Sequence, residues 1–130
     1  MEAFVREKTK STPWIKFDPD NNLLEVKGES YPENSSKFYS PMLEWLETYL
    51  QSIEDQPIHV DMELIYFNSS SSKILMNFFD MLEDAARRGV PVTVEWKYHE
   101  DNDIALECGD EFKEDLEHVT FHLIALDSQG

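Results

Sequence analysis

Basic residues are scarce in this chain of 130: 11 Lys and Arg stand against 27 Asp and Glu, a formal charge of −16. A polyanion gains nothing from phosphate neutralisation unless its cations are segregated. Here they are scattered, the densest group being Arg6, Lys8 and Lys10, so neither nucleic acid nor an anionic membrane is an expected partner. Cysteine is nearly missing, and the lone Cys108 can close no internal disulfide. The stretch from Met1 to Glu7 holds no apolar run of signal-peptide length. No segment approaches the roughly 18 apolar residues of a spanning helix. A reducing, cytoplasmic setting is the expectation. The four glycines are widely separated, so no glycine-rich phosphate loop exists, nor does Gly-x-Ser-x-Gly, Cys-x-x-Cys or His-Glu-x-x-His. These absences argue against an enzyme and call for no cofactor.

What is present is a core. Apolar residues make up 41% of the chain, with eight Phe, five Tyr and three Trp, too many for a disordered acidic segment. The length suits one domain over residues 1–130, with a flexible arm over 1–12 and a flexible tail over 126–130. Trp14 to Phe17 and Leu23 to Val26 read as short strands about the turn Asp18-Pro19-Asp20-Asn21-Asn22. Gly28 to Asn34 is rich in breakers and reads as part of a loop of about ten residues. Phe38, Met42, Trp45, Leu46, Tyr49, Leu50 and Ile53 then fall on one helical face. Pro41 suits only a first turn, which puts the helix start between Ser36 and Ser40.

Ile58 to Phe67 alternates as a strand and becomes apolar on both faces at its far end, as a central strand does. Ile74, Leu75, Phe78, Phe79, Leu82, Ala85 and Ala86 mark a second helix, stopped by Gly89 and Pro91. Val90 to Trp96 alternates again, and residues 104–117 form a third helix whose buried side carries Ile104, Cys108, Phe112 and Leu116. Val119 to Ala125 closes the chain as a strand. The expectation is an α/β domain of about five strands and three helices, βαβαβαβ after an N-terminal strand, with a mostly parallel sheet. The carboxyl edge of such a sheet is where partners dock. It should collect Tyr31 and Glu33, the serine run, and Trp96 with Tyr98, although packing is an equal reading for each of these three aromatics.

Several constellations have bland readings. Asp18, Asp20, Asn22 and Glu29 imitate a calcium loop, but Leu23 occupies the glycine position and strands flank it. In a strand, His118 and His122 would stand about 13 Å apart, too far to share a metal. Glu100 to Glu117 holds nine acids and one Lys, a local charge of −8, read as a solvated helix face or a docking surface for a basic partner. The informative run is Asn68-Ser69-Ser70-Ser71-Ser72. One of these residues caps the second helix, and a hydroxyl at a helix amino terminus is also a place where a phosphate is electrostatically tolerated.

Gly28-Glu29-Ser30-Tyr31-Pro32-Glu33-Asn34-Ser35, Phe38-Tyr39-x-Pro41 with Trp45-Leu46, Tyr66 to Lys73, and Val94-Glu95-Trp96-Lys97-Tyr98 resemble the SiaC family of bacterial regulatory phosphoproteins. These are STAS-like domains related to anti-sigma factor antagonists. The resemblance implies a switch rather than an enzyme. Members are phosphorylated by a serine/threonine kinase, dephosphorylated by a PP2C-type phosphatase, and when unmodified bind and activate a diguanylate cyclase controlling biofilm formation. It implies that the acceptor follows the Asn at the end of the third strand, here Ser69 in place of the family's Thr, with Ser70 the adjacent alternative. The expected docking residues are Tyr31, Glu33, Asn68, Ser69, Ser70, Lys73, Trp96 and Tyr98. The rival expectation is a constitutive protein-interaction or small-ligand-binding module whose serines only cap a helix.

Overall fold

A computed structural model describes residues 1–127. Nine elements follow one another: β1 (Phe4–Arg6), β2 (Trp14–Asp18), β3 (Leu23–Ser30), α1 (Ser35–Ser52), β4 (Ile58–Phe67), α2 (Ser69–Arg87), β5 (Val92–His99), α3 (Asp103–Asp115) and β6 (Thr120–Leu126). The six strands lie in the sheet in chain order. β1, β2 and β3 are antiparallel neighbours, and β3 to β6 run parallel. Each helix therefore carries the chain to the next strand along, and right-handed crossovers put all three helices on one face. Alternation in β3, β4 and β5 buries every second side chain beneath them.

The uncovered face is polar. Lys16, Glu25, Asp61, Glu95 and His122 sit side by side in register across five strands. Two of the carboxylates have close partners on the same face: Lys97 Nζ lies 3.0 Å from Asp61 Oδ2, and His59 Nε2 lies 2.6 Å from Glu95 Oε1.

Several expectations are corrected. Residues 1–12 are not a free arm, because Phe4 pairs with Phe17 in register and is buried, its ring 6.0 Å from that of Phe17. That contact adds a sixth strand too short to be legible as a period. Leu126 belongs to β6 rather than to a tail, and residues 128–130 lie outside the described residues. The loop before α1 shrinks to Tyr31–Asn34, since β3 continues through a bulge at Gly28 and Glu29. Gly28 has φ +123°, a conformation open to glycine at little cost, which lets the strand go on past the bulge.

Helix α1 starts at Ser35, so exposed Pro41 sits in its second turn, where the Lys37 carbonyl it leaves unpaired faces water. β4 pairs with β5 only as far as Met62 and Trp96, and beyond that Ile65 and Tyr66 are exposed instead of central. On α3 the expected Phe112 is buried and Cys108 and Leu116 pack half-buried against the core, but the face is rotated towards Ala105 and Gly109, which are buried, and Ile104 is 73% exposed. Gly109 explains the rotation. A Cβ there would stand 2.5 Å from Trp96 Cδ1, so the indole occupies the space that any side chain would need.

Candidate functional site at the carboxyl edge

All three helices begin with the same device, an Asn whose side-chain oxygen accepts from the backbone N–H three residues on. Asn34 takes Lys37 N (3.0 Å), Asn68 takes Ser71 N (2.9 Å) and Asn102 takes Ala105 N (3.1 Å). The geometry is that of an N-cap, worth about 1 kcal/mol to each helix. Thus Asn68, not a serine, caps α2, and the four serines form its first turn. The cap is tied to β3, because Asn68 N donates to Ser30 O at 3.0 Å.

Beneath that turn lies a chain of hydroxyls. Ser30 Oγ is 2.5 Å from Tyr39 Oη and 2.7 Å from Ser71 Oγ, and Ser71 Oγ donates to Ser30 O at 3.1 Å. Ser35 Oγ is 2.8 Å from Ser70 Oγ, which also donates to Asn68 Oδ1 at 3.1 Å. Ser30, Ser35, Ser71 and Tyr39 are buried, and burial pushes the Tyr39 phenol up to about 12 in spite of the Ser30 hydrogen bond, so the network is neutral at all ordinary pH. Three elements, β3, α1 and α2, are thereby joined at one point without any charge.

The serines of the run now separate. Ser71 is buried and Ser70 is engaged twice, whereas Ser69 is exposed and its hydroxyl has no partner among the described residues. The N–H groups of Ser69 and Ser70 also have no acceptor among the described residues, as expected of the first two positions of a helix. The first turn carries no acid, and exposed Lys73 follows Ser69 by one turn. The corner therefore presents to water two N–H groups, a hydroxyl and the Lys73 side chain.

Of the other expected docking residues, half-buried Tyr31 meets exposed Tyr66 edge-on with ring centroids 5.9 Å apart. Glu33 is exposed in the loop before α1, and Tyr98 is half-buried against the core near the end of β5. Trp96 does not belong to the surface. It is 1% exposed, its Nε1 donates to Ala105 O at 3.0 Å, and its ring packs among Phe67, Phe79, Phe112 and Phe121. Its place in β5 points it under the helices, and the glycine that admits it is on α3. Residues that sequence reasoning did not single out are Ser30, Ser35 and Tyr39, which support the corner, and Ile65 and Tyr66, which are exposed near the end of β4. Strand alternation that lapses after Leu64 was the one available signal for the last two.

The fold and site together define a small α/β domain with a mostly parallel six-stranded sheet and, at its carboxyl edge, a capped helix start that displays a hydroxyl. The sequence model for the SiaC family regulatory phosphoprotein matches residues 6–126. The chain belongs to the SiaC family. It is 38% identical over 107 residues to an uncharacterised protein of Pseudomonas aeruginosa (strain UCBPP-PA14), covering 82% of this chain and 84% of that one. Its fold matches apo-SiaC from Pseudomonas aeruginosa with a TM-score of 0.86 at 34% identity, over 96% of this chain and 100% of the other. It also matches a chain in the crystal structure of the diguanylate cyclase SiaD in complex with its activator SiaC from the same organism, with a TM-score of 0.88 at 35% identity, over 95% and 99% of the two chains. Among the described residues no helix is long and apolar enough to cross a membrane.

Proposed function

We propose that this protein is a phosphorylation-gated adaptor that is not itself catalytic: unmodified, it binds and activates a diguanylate cyclase in the cytoplasm, and a serine/threonine kinase and a PP2C-type phosphatase switch it at Ser69. The observation that carries the reading is the contrast among the serines: Ser69 is exposed with no hydroxyl partner among the described residues, Ser70 and Ser71 are engaged, and Ser72 is half-buried. The family's phosphoprotein description and the SiaD activator role of SiaC from Pseudomonas aeruginosa support it.

The chemistry is local. A phosphate on Ser69 brings a charge of about −1.5 to −2. The two free N–H groups at the start of α2 and Lys73 can receive it, so the domain stays folded. A partner that covers this edge of the sheet would take the Ser69 hydroxyl out of water. Desolvating a dianion there costs several kcal/mol, and about 1.4 kcal/mol already means a tenfold loss of affinity. No rearrangement of the fold is required.

Mass spectrometry of the protein from its own cell should find phosphate on Ser69, and Ser69→Ala should remove it while Ser70→Ala leaves it. Phosphate confined to Ser70, or none under any growth condition, would overturn the assignment. Binding of the cyclase should fall at least tenfold on phosphorylation; unchanged binding would reduce the domain to a constitutive module.

A further inference from the structure

The last strand of the sheet has a neighbour on one side only. β6 pairs with β5 in a ladder that is regular from Thr120 to Leu126, and no hydrogen bond among the described residues reaches its other side. Leu126 O accepts from Glu100 N at 2.9 Å, so Leu126 turns its backbone groups towards β5. Every second residue of a parallel ladder does the same, which directs the N–H and C=O groups of Phe121, Leu123 and Ala125 outward. The entry to the strand is fixed, because the buried carboxylate of Glu83 holds the N–H groups of Glu117, His118 and Val119. A firmly placed strand thus presents a row of unpaired donors and acceptors.

The other edge of the sheet is blunted. β1 is three residues long, and the Arg6 guanidinium lies 4.2 Å over the Phe4 ring and donates to Val5 O at 2.9 Å. Shortness, charge, proline and bulges are the devices that keep an edge from pairing. β6 has none of them. It is seven residues long, carries no Pro and no bulge, and alone among the six strands holds no Asp, Glu, Lys or Arg, in a chain that is 29% charged. That neutrality selects the occupant. A two-fold axis sets a strand against itself, so every charge on it would face its own kind. Antiparallel pairing about Leu123 brings no charge against a like one. On the side beneath the helices it places Phe121 opposite the small Ala125 and Leu123 opposite itself, and on the open face His122 opposite Ile124.

We propose that β6 is a self-pairing edge, through which two copies of the chain join their β6 strands antiparallel about Leu123 into one continuous sheet. The outward groups of Phe121, Leu123 and Ala125 then form about six backbone hydrogen bonds with their counterparts. Electrostatics opposes the pair at a distance, since each copy carries −16 and the acidic helix α3 packs over Leu123 in both. Added salt screens that repulsion and leaves the hydrogen bonds and apolar contacts, so association tightens as salt rises. The inference goes beyond the adaptor reading and does not depend on modification of Ser69.

Sedimentation of the full chain from about 1 to 500 μM should show a monomer–dimer equilibrium, tighter at about 0.5 M salt than at about 0.1 M. Hydrogen exchange should give the pairing its signature: the amides of Phe121, Leu123 and Ala125 gain protection as concentration rises, while those of His122 and Ile124, bonded to β5, are protected throughout. Ala125→Pro removes one outward donor and leaves the ladder to β5 intact, and it should weaken the dimer at least tenfold. Ala125→Lys places a charge on the edge without a backbone constraint and should do the same, so a folding defect of the Pro variant does not decide the matter. Val5→Lys, on the β1 edge, should leave association unchanged. A monomer at every concentration and salt would overturn the proposal and leave the edge to a strand of another protein. Association that weakens with salt, survives both Ala125 variants, or is lost in Val5→Lys would overturn it as well, as would concentration-dependent protection confined to residues outside β6.

Discussion

The two ends of α2 are held by opposite chemistry. At the amino end Asn68 and a chain of hydroxyls join the helix to β3 and α1 with no charge at all. Near the carboxyl end the side chain of Glu83, 4% exposed, reaches the segment between α3 and β6. There it accepts from the backbone N–H groups of Glu117 (3.2 Å), His118 (2.9 Å) and Val119 (3.1 Å), and lies 2.9 Å from His118 Nδ1. Burial by itself would raise this carboxyl, but the hydrogen bonds from the His118 side chain and from the three N–H groups reverse the effect and hold it at about 2. A carboxylate used up by four donors is a staple with nothing left to offer. A neutral network is weaker, and it leaves one hydroxyl over. The end built for strength and the end built for modification are the two ends of one helix.

The contrast can be broken most forcefully at the staple. Glu83→Ala strands three backbone donors and should cost about 3 kcal/mol in urea unfolding; a loss below about 1 kcal/mol would mean that water replaces the carboxylate and that the ends are alike. Acid should do the same work reversibly. The folded carboxyl lies near 2 and its ordinary value is 4.5, so the contribution is complete above about 4.5 and is lost as pH falls towards about 2. The stability difference between the parent and Glu83→Gln should accordingly shrink over that window, and a constant difference would remove the charge from the account.

The amino end should respond more gently. Ser30→Ala deprives Tyr39 and Ser71 of a shared partner and should cost about 1.5 kcal/mol, read as a lower denaturation midpoint with the same slope. Ser69→Ala should change stability by less than about 0.3 kcal/mol while abolishing phosphorylation, the smallest structural effect with the largest functional one. If Ser69→Ala proved as costly as Ser30→Ala, the hydroxyl would belong to the network and the division between holding and displaying would fail.

Much of this was legible along the chain, because strands and helices announce themselves by local period. The hydrophobic stripes of α1 and α2, the stop at Gly89 and Pro91, and the parallel order of the later strands came through. β1 did not, since three residues hold no period and Phe4 is fixed by Phe17 across the sheet. The buried face of α3 is legible at Phe112 but not at Gly109, because glycine counts as neutral in a periodic reading, whereas here its missing side chain is the contact with Trp96. Trp96 was placed at the edge by its position late in β5; the alternation of that strand also sends it inward, and burial wins because aromatic rings surround it.

By itself the sequence determined the order of elements, a run of serines at the entrance to the second helix, and an excess of acid, half of it between Glu100 and Glu117. These are local quantities, set by neighbours within a turn or two. Only the tertiary structure decided which serines are engaged and which is exposed, because Ser70 is engaged by Ser35 and Ser71 by Ser30, partners 35 and 41 residues away, while Ser72 is half-buried and Ser69 faces water. It likewise decided which acids are engaged: Glu83 finds its donors at residues 117–119, and Asp61 finds Lys97 on the neighbouring strand. A hydroxyl or a carboxylate carries the same chemistry wherever it stands in the chain. Whether it is available depends on what the fold brings within 3 Å of it.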